Sequence, residues 1–162
     1  MDLEAAAAAL EPETSVTGLL RATARTLVTL VDAAGVVISR LVGEMIVDVA
    51  HYAPKGENLA LGYGYLLRDY PLTRAVVEER EPKACSLLEA DCDPKEAALL
   101  RELGFDSLLM VPLESNGEAW GLVEAYARER TFTAEEGEVA TALAARAGAL
   151  LERLGPAPPM PS

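Results

Sequence analysis

Residues 104–126 read GFDSLLMVPLESNGEAWGLVEAY, and this stretch decides the fold. Residues 107–113 are nearly all apolar, which predicts a strand that is buried on both faces. Asn116 and Gly117 form the strongest short hairpin signal, so residues 119–126 are expected to return as a second strand. A buried hairpin followed by a covering helix is typical of a sensor-type domain rather than of a catalyst built on loops.

Two long amphipathic helices are predicted near the ends of the chain. The first is capped by Thr14 or Ser15, and its apolar residues keep helical spacing to about residue 33. The second begins at Thr133, which forms a capping box with Glu136, and extends to about residue 154. Both helices are rich in alanine, so the same helices of two copies are expected to pack closely in a homodimer.

The middle of the chain alternates short strands with short helices. The order is helix, two strands, irregular segment, helix, strand, helix, two strands, helix. This order predicts an α+β fold with an antiparallel sheet of five or six strands, the terminal helices on one face and the irregular segment with the short helices on the other. The predicted inner elements are strands at 36–41, 45–52 and 83–87 and helices at 71–80 and 94–103.

Composition and charge narrow the classes of function. The 162 residues suit one domain, and the formal net charge of -12 disfavours nucleic acid and anionic membrane surfaces as partners. No apolar run reaches membrane-spanning length, and the N-terminus lacks the basic region of a secretory signal, so a cytoplasmic protein is expected. We expect an N-terminal arm at 1–13, a domain at 14–154 and a disordered proline-rich tail at 155–162.

The chain carries an ordered set of short motifs: YPLTRAV at 70–76, Pro82, LLRELGF at 99–105, SLLMVPL at 107–113, Gly117, WGL at 120–122, Tyr126, Phe132 with Thr133, and Glu136. Together these motifs resemble the GAF family of sensory domains over about residues 15–154. The resemblance implies a GAF- or PAS-like sheet with a small-molecule pocket between the sheet and the middle segment. It also implies a non-enzymatic sensory or regulatory role, bacterial signalling proteins as the setting, dimer-forming terminal helices and a signalling output domain or protein as partner.

The irregular segment at 53–70 carries the best candidates for ligand contact. Tyr63, Tyr65 and Tyr70 offer flat aromatic faces and hydroxyl groups, and Arg68 offers a cationic fork for an anion. Long irregular segments inside compact domains are often functional. The alternative is that these aromatic side chains anchor the loop onto the sheet.

His51 and Glu124 are two further candidates. His51 is the only histidine, and it is either a haem ligand, as in some relatives, or a hydrogen-bonded residue at a strand end. Glu124 interrupts an apolar strand, so it either points into the pocket or pairs with a nearby arginine.

The two cysteines carry no recognisable motif. Cys85 and Cys92 lack the surroundings of a bilin attachment site, and they match poorly to the thiol enzymes that reduce free methionine sulfoxide on this fold. We expect one buried thiol and one exposed loop thiol, with a small thiol redox enzyme and a purely structural dimerisation domain as alternatives. No catalytic triad, phosphate loop or metal-ligand cluster is found, so no catalytic residue, metal or cofactor is predicted.

Overall fold

The computed structural model describes residues 1–57, 59 and 64–154. These residues form an antiparallel sheet with helices on both faces. The described elements are α1 (Leu3–Leu10), α2 (Val16–Leu30), β1 (Gly35–Val42), β2 (Met45–Tyr52), β3 (Gly64–Leu66), a 3-10 helix (Leu67–Asp69), α3 (Pro71–Glu79), β4 (Lys83–Ser86), α4 (Pro94–Leu103), β5 (Ser107–Ser115), β6 (Glu118–Ala127) and α5 (Ala134–Arg153).

The strands form one sheet in the order β3-β2-β1-β6-β5-β4, and each pair of neighbours is antiparallel. Asn116 and Gly117 join β5 to β6, and their φ angles are 55° and 74°. Positive φ at both central residues is the geometry of a type I′ hairpin turn, which Asn-Gly adopts readily. The predicted hairpin is therefore confirmed.

The helices α1, α2 and α5 cover one face of the sheet. Their apolar residues join those of the strands in one core cluster, in which Leu10, Leu19 and Leu143 are fully buried. α5 lies so close to β5 that a Cβ at Gly148 would collide with the carbonyl oxygen of Glu114. The helical layer is thus packed directly on the sheet.

The helices α3 and α4 and the 3-10 helix cover the opposite face. They bury a second cluster that includes Leu67, Val76, Leu100, Phe105 and Met110. The predicted α+β architecture is therefore confirmed, with a six-stranded sheet, long helices on one face and short helices on the other.

The N-terminal helix packs more tightly than the prediction of an arm at residues 1–13 implies. α1 contacts both α2 and α5, and Ala6 and Leu10 have no exposed surface. The division into arm, domain and tail stays a prediction, and the predicted tail at 155–162 lies outside the described residues. No helix in the described part of the chain is long and apolar enough to cross a membrane.

Candidate functional site

A small, partly open cavity lies between the sheet and the layer formed by α3 and α4. Its volume is about 20 Å³, which is room for about one water molecule. The cavity combines apolar walls with two carboxyl groups and two tyrosine rings. It is lined by Ile46, Tyr65, Tyr70, Thr73, Glu96, Leu99 and Glu124.

The sheet contributes Glu124 to the cavity. Side chains alternate between the two faces of a strand, so Glu124 shares its face with Leu122 and Tyr126, which belong to the second core cluster. Its partners on the neighbouring strands are Val37 of β1 and Met110 of β5, both buried. Glu124 is therefore surrounded within the sheet by apolar side chains.

The helices contribute Glu96 from the opposite wall. Asp93 caps α4 by accepting hydrogen bonds from the backbone N–H groups of Lys95 and Glu96, and this orients the first turn of the helix. The Glu96 side chain is 1% exposed, and its Oε1 accepts a hydrogen bond of 2.6 Å from the Thr73 hydroxyl of α3. One buried hydrogen bond thus joins the two helices above the cavity.

Burial makes both carboxyl groups weak acids. It raises the pKa of Glu124 to about 8, and although the hydrogen bond from Tyr126 opposes that rise, the nearby Glu96 and Asp48 add to it. Burial also raises the pKa of Glu96, against the effect of the Thr73 hydroxyl. Glu124 therefore holds a proton at neutral pH, although it can give the proton up to a suitable partner.

A third carboxyl group, that of Asp48, lies beside the cavity on β2. Its Oδ1 accepts a hydrogen bond of 2.8 Å from the Ser39 hydroxyl, on the strand position directly opposite. Burial raises the pKa of Asp48, while Ser39 and His51 oppose that rise. The pocket side of the sheet is thus acidic as well as apolar.

Two tyrosine rings close the cavity at the edge of the sheet. Tyr65 lies on β3, a short strand inside the segment that the sequence predicts as irregular, and Tyr70 precedes α3. The rings meet edge to face, with centroids 5.5 Å apart and an angle of 77° between their planes. Burial is the largest cause that raises the pKa of both phenols.

The residues predicted as ligand contacts are only partly brought together. Tyr65, Tyr70 and Glu124 line the cavity, whereas Arg68 on the 3-10 helix and His51 on β2 are exposed and do not line it. Tyr63 lies outside the described residues. The roles of all six residues in ligand binding stay predictions.

Sequence reasoning left the partner of Glu124 open and missed Glu96. Glu124 is hydrogen-bonded to Tyr126, two residues along the same strand, rather than to an arginine. Glu96 lies three and four residues before Leu99 and Leu100, which places it on the apolar face of α4. A charged residue on the apolar face of a helix is the signal that could have identified it.

The cysteines differ from the prediction of two separate thiols. Cys85 and Cys92 form a disulfide bond, with their Cα atoms 5.0 Å apart and seven positions apart in the sequence. The spacing alone did not indicate this pair, because the fold of the loop brings it together. Within the described ranges, no group of three or more His, Cys, Asp or Glu residues could hold a metal ion.

Comparisons with known proteins agree on the fold. A sequence model of the GAF domain matches residues 15–151. No curated protein matches the sequence. Among solved structures, the phycocyanobilin-bound GAF domain of a cyanobacterial phytochrome superposes with a TM-score of 0.81 at 15% identity, covering 95% of this chain and 96% of that one.

Two longer phytochrome fragments also superpose. The chromophore-binding domain of the Stigmatella aurantiaca bacteriophytochrome (a Thr289His mutant in the Pr state) gives a TM-score of 0.79 at 15% identity, covering 93% of this chain. The chromophore-binding domain of the bacteriophytochrome RpBphP3 from R. palustris gives a TM-score of 0.81 at 10% identity, covering 94% of this chain. The chain spans 58% and 59% of these two proteins. At such low identity, the likeness shows the fold alone.

Proposed function

The chain belongs to the GAF domain family, and we propose that it is a non-enzymatic sensory or regulatory domain that binds a small molecule. The ligand site is the cavity between the sheet and the helices α3 and α4. The observation that carries this proposal is the pair of carboxyl groups, Glu96 and Glu124, on opposite walls of that one cavity. Burying two carboxyl groups against apolar side chains disfavours their charged forms, and a ligand that satisfies them recovers that cost.

The chemistry of the walls favours a small cationic ligand, such as a protonated amine or an amidinium. Neither Glu96 nor Glu124 makes an ion pair within the described part of the chain. A cation between them would favour their ionised forms, and the rings of Tyr65 and Tyr70 offer it a cation–π surface. Arg68, whose guanidinium group would suit an anionic ligand, is exposed and does not line this cavity.

The ligand-bound state requires a larger pocket than the described one. Small-molecule pockets measure about 300 to 1,000 Å³, whereas this cavity measures about 20 Å³. One wall therefore has to move outward, and a ligand favours the expanded arrangement by binding it better than the described one. This difference in affinity is what makes the domain a sensor.

A route from the pocket to the terminal helices begins on β6. This strand carries Glu124 and is followed by Arg130, whose guanidinium group donates hydrogen bonds of 2.9 and 2.8 Å to Glu136 in the first turn of α5. The same group also donates to the carbonyl oxygen of Val31 at the end of α2. A shift of β6 would therefore be transmitted to both terminal helices.

The proposal extends to assembly and location. Two copies dimerise through the terminal helices α2 and α5, and the output is a change in how these helices pack against each other. The alanines of α5 that face outward, Ala145 and Ala149, allow close approach of a second helix. The receiver is a signalling output domain or protein in a bacterial cytoplasm.

Three planar probes of one shape and different charge test the ligand class. Benzamidine is a cation, benzamide is neutral and benzoate is an anion, and each is titrated into the purified chain by calorimetry near neutral pH. We expect benzamidine to bind at least tenfold more tightly than benzamide and benzoate not to bind. Repeating the titration in buffers of different ionisation enthalpy should show the release of about one proton, because Glu124 must ionise to pair with the cation.

Matched variants distinguish the pocket from the general acidity of the surface. Glu124→Gln should reduce the affinity for benzamidine to that for benzamide, whereas Glu118→Gln, an exposed glutamate on the same strand, should leave it unchanged. Equal affinity for all three probes would contradict the ligand class.

If neither these probes nor a library of metabolites raises the melting temperature, the structural dimerisation domain replaces the sensor. Methionine sulfoxide turnover that is lost in Cys92→Ser would instead support the thiol enzyme.

A further inference from the structure

The disulfide bond joins the edge of the sheet to the helix that forms one wall of the pocket. Cys85 lies on β4, the edge strand, where it pairs with Leu108 of β5. Cys92 directly precedes Asp93, the N-cap of α4. The bond is therefore a covalent tie between α4 and the sheet, at the end of the helix where Glu96 enters the cavity.

Small thiol reagents can reach this bond from solvent. Cys85 is 6% exposed and Cys92 is partly exposed, and both line a surface groove of about 280 Å³. The groove also contains Phe132 and two acidic side chains, Glu89 and Asp91. Cys92 is the more exposed of the two residues, so its Sγ is the atom that an incoming thiolate would attack.

We propose that Cys85 and Cys92 form a reversible redox site, reduced by small neutral dithiols, that controls how far α4 can move from the sheet. One thiolate of the reductant attacks Sγ of Cys92, the bond between the two cysteines breaks, and Cys85 leaves as a thiolate that takes up a proton. The second thiol of the reductant then displaces Cys92 from the mixed disulfide. Two electrons pass to the protein, and the reductant becomes a cyclic disulfide.

The acidic groups around the bond select among reductants. Glu89, Asp91 and Asp93 lie beside or next to Cys92, so an anionic thiol is repelled at the point of attack. Dithiothreitol attacks as a thiolate with one negative charge, whereas a sulfonated thiolate carries two, so dithiothreitol meets the smaller barrier. Added salt should therefore accelerate reduction by a sulfonated thiol more than reduction by dithiothreitol.

Reduction should loosen the pocket wall. With the tie intact, the N-terminal turn of α4 is held at the sheet edge, and the Thr73 hydroxyl holds Glu96 at 2.6 Å. Once the bond is open, α4 is held in place only by its hydrogen bonds and by the apolar contacts of residues such as Leu100. The reduced protein would then admit a ligand into the small cavity more readily. This consequence for ligands rests on the proposed function, whereas the redox site itself does not.

Hydrogen exchange on the 162-residue chain tests the inference without a ligand. Dithiothreitol should increase amide exchange in residues 94–103 at least tenfold. Removing it and adding an uncharged disulfide, such as that of 2-mercaptoethanol, which takes up the two electrons as it is reduced to thiols, should restore the original rates. The variant carrying both Cys85→Ser and Cys92→Ser should show the fast exchange with and without dithiothreitol, which controls for other effects of the reagent. Exchange that does not change on reduction, or a bond that dithiothreitol does not open in the folded protein, would overturn the redox site.

Benzamidine titrations of the oxidised and reduced protein separate the two proposals. A severalfold gain in affinity on reduction supports both of them. If α4 exchange changes but benzamidine binds neither form, the redox site stands and the proposed ligand class fails. If benzamidine binds both forms equally and α4 exchange does not change, the pocket stands and the redox control fails.

Discussion

The hydroxyl group of Tyr126 donates a hydrogen bond of 2.6 Å to the carboxyl group of Glu124, two residues earlier on β6. Residues two apart on a strand point to the same face of the sheet, so this bond lies on the pocket side. It is one of the few polar contacts available to Glu124 among apolar neighbours. The bond fixes the orientation of a carboxyl group that burial keeps protonated at neutral pH.

Stability should fall as pH rises through the range in which only the native state holds the proton of Glu124. The unfolded chain releases this proton near pH 4.5 and the native protein near pH 8, so the native state binds more protons between these values. The free energy of unfolding therefore decreases with rising pH in this window, and the full stability is present below about pH 4.5. A pKa difference of this size corresponds to about 5 kcal/mol for a group fully shielded from solvent. Because Glu124 is partly exposed, the loss should be smaller, on the order of 2 kcal/mol.

Urea denaturation at several pH values measures this loss. Glu124→Gln removes the titrating group, so the variant should lose much less stability between about pH 5 and pH 8 than the wild type. The pKa values of Glu96 and Asp48 are also raised by burial. The free energy of unfolding of the variant should therefore still decrease with pH, but less steeply. Glu118→Gln should retain the full slope. A wild-type protein whose stability rises over this range would contradict the buried, protonated state of Glu124.

The sheet and the helices could be predicted because their signals are local. The Asn116-Gly117 turn and the capping box of Thr133 with Glu136 each depend on residues a few positions apart, and both are present in the structure. The strand β3 was missed because three residues within a segment rich in glycine and tyrosine carry no periodic pattern.

The site was harder to predict because its members come from distant parts of the chain. Tyr65, Tyr70 and Glu124 could be identified because their residue types stand out from the surrounding sequence. The contact between Glu96 and Thr73, by contrast, joins residues of two helices that are 23 positions apart in the chain. The disulfide of Cys85 and Cys92 depends in the same way on how the loop before α4 folds back onto β4. Contacts of this kind between distant residues cannot be predicted from the spacing of residues in the sequence.

Thr73→Val should destabilise the protein by about 2 kcal/mol, because it removes the hydroxyl that donates to the buried Glu96 and leaves the carboxyl group unsatisfied. Thr73→Ser keeps the hydroxyl and should recover most of that stability. Chemical denaturation of both variants near neutral pH measures the difference. If Thr73→Val and Thr73→Ser have the same stability, the hydrogen bond to Glu96 is not what holds α3 and α4 together.

Opening the disulfide should also lower the free energy of unfolding, since the intact bond closes a short loop between two cysteines seven positions apart. For a loop of this size the expected loss is about 2 to 3 kcal/mol, which arises mainly from the greater freedom of the unfolded chain. Urea denaturation of the wild type with dithiothreitol should give nearly the same value as the variant carrying both Cys85→Ser and Cys92→Ser. A variant as stable as the oxidised wild type would show that the bond adds nothing to the fold.

Two glycines of α5 should respond to alanine in opposite directions. At Gly148 a Cβ would collide with the carbonyl oxygen of Glu114, so Gly148→Ala must push α5 away from β5 and should cost about 3 kcal/mol. At Gly137 the nearest atom to a new Cβ is Cδ1 of Leu109 at 3.7 Å, an ordinary contact. Gly137→Ala should therefore add about 0.5 to 1 kcal/mol through helix propensity alone. Thermal and urea denaturation of the two variants compare them directly, and a tolerated Gly148→Ala would mean that α5 does not lie against β5 as closely as the structure shows.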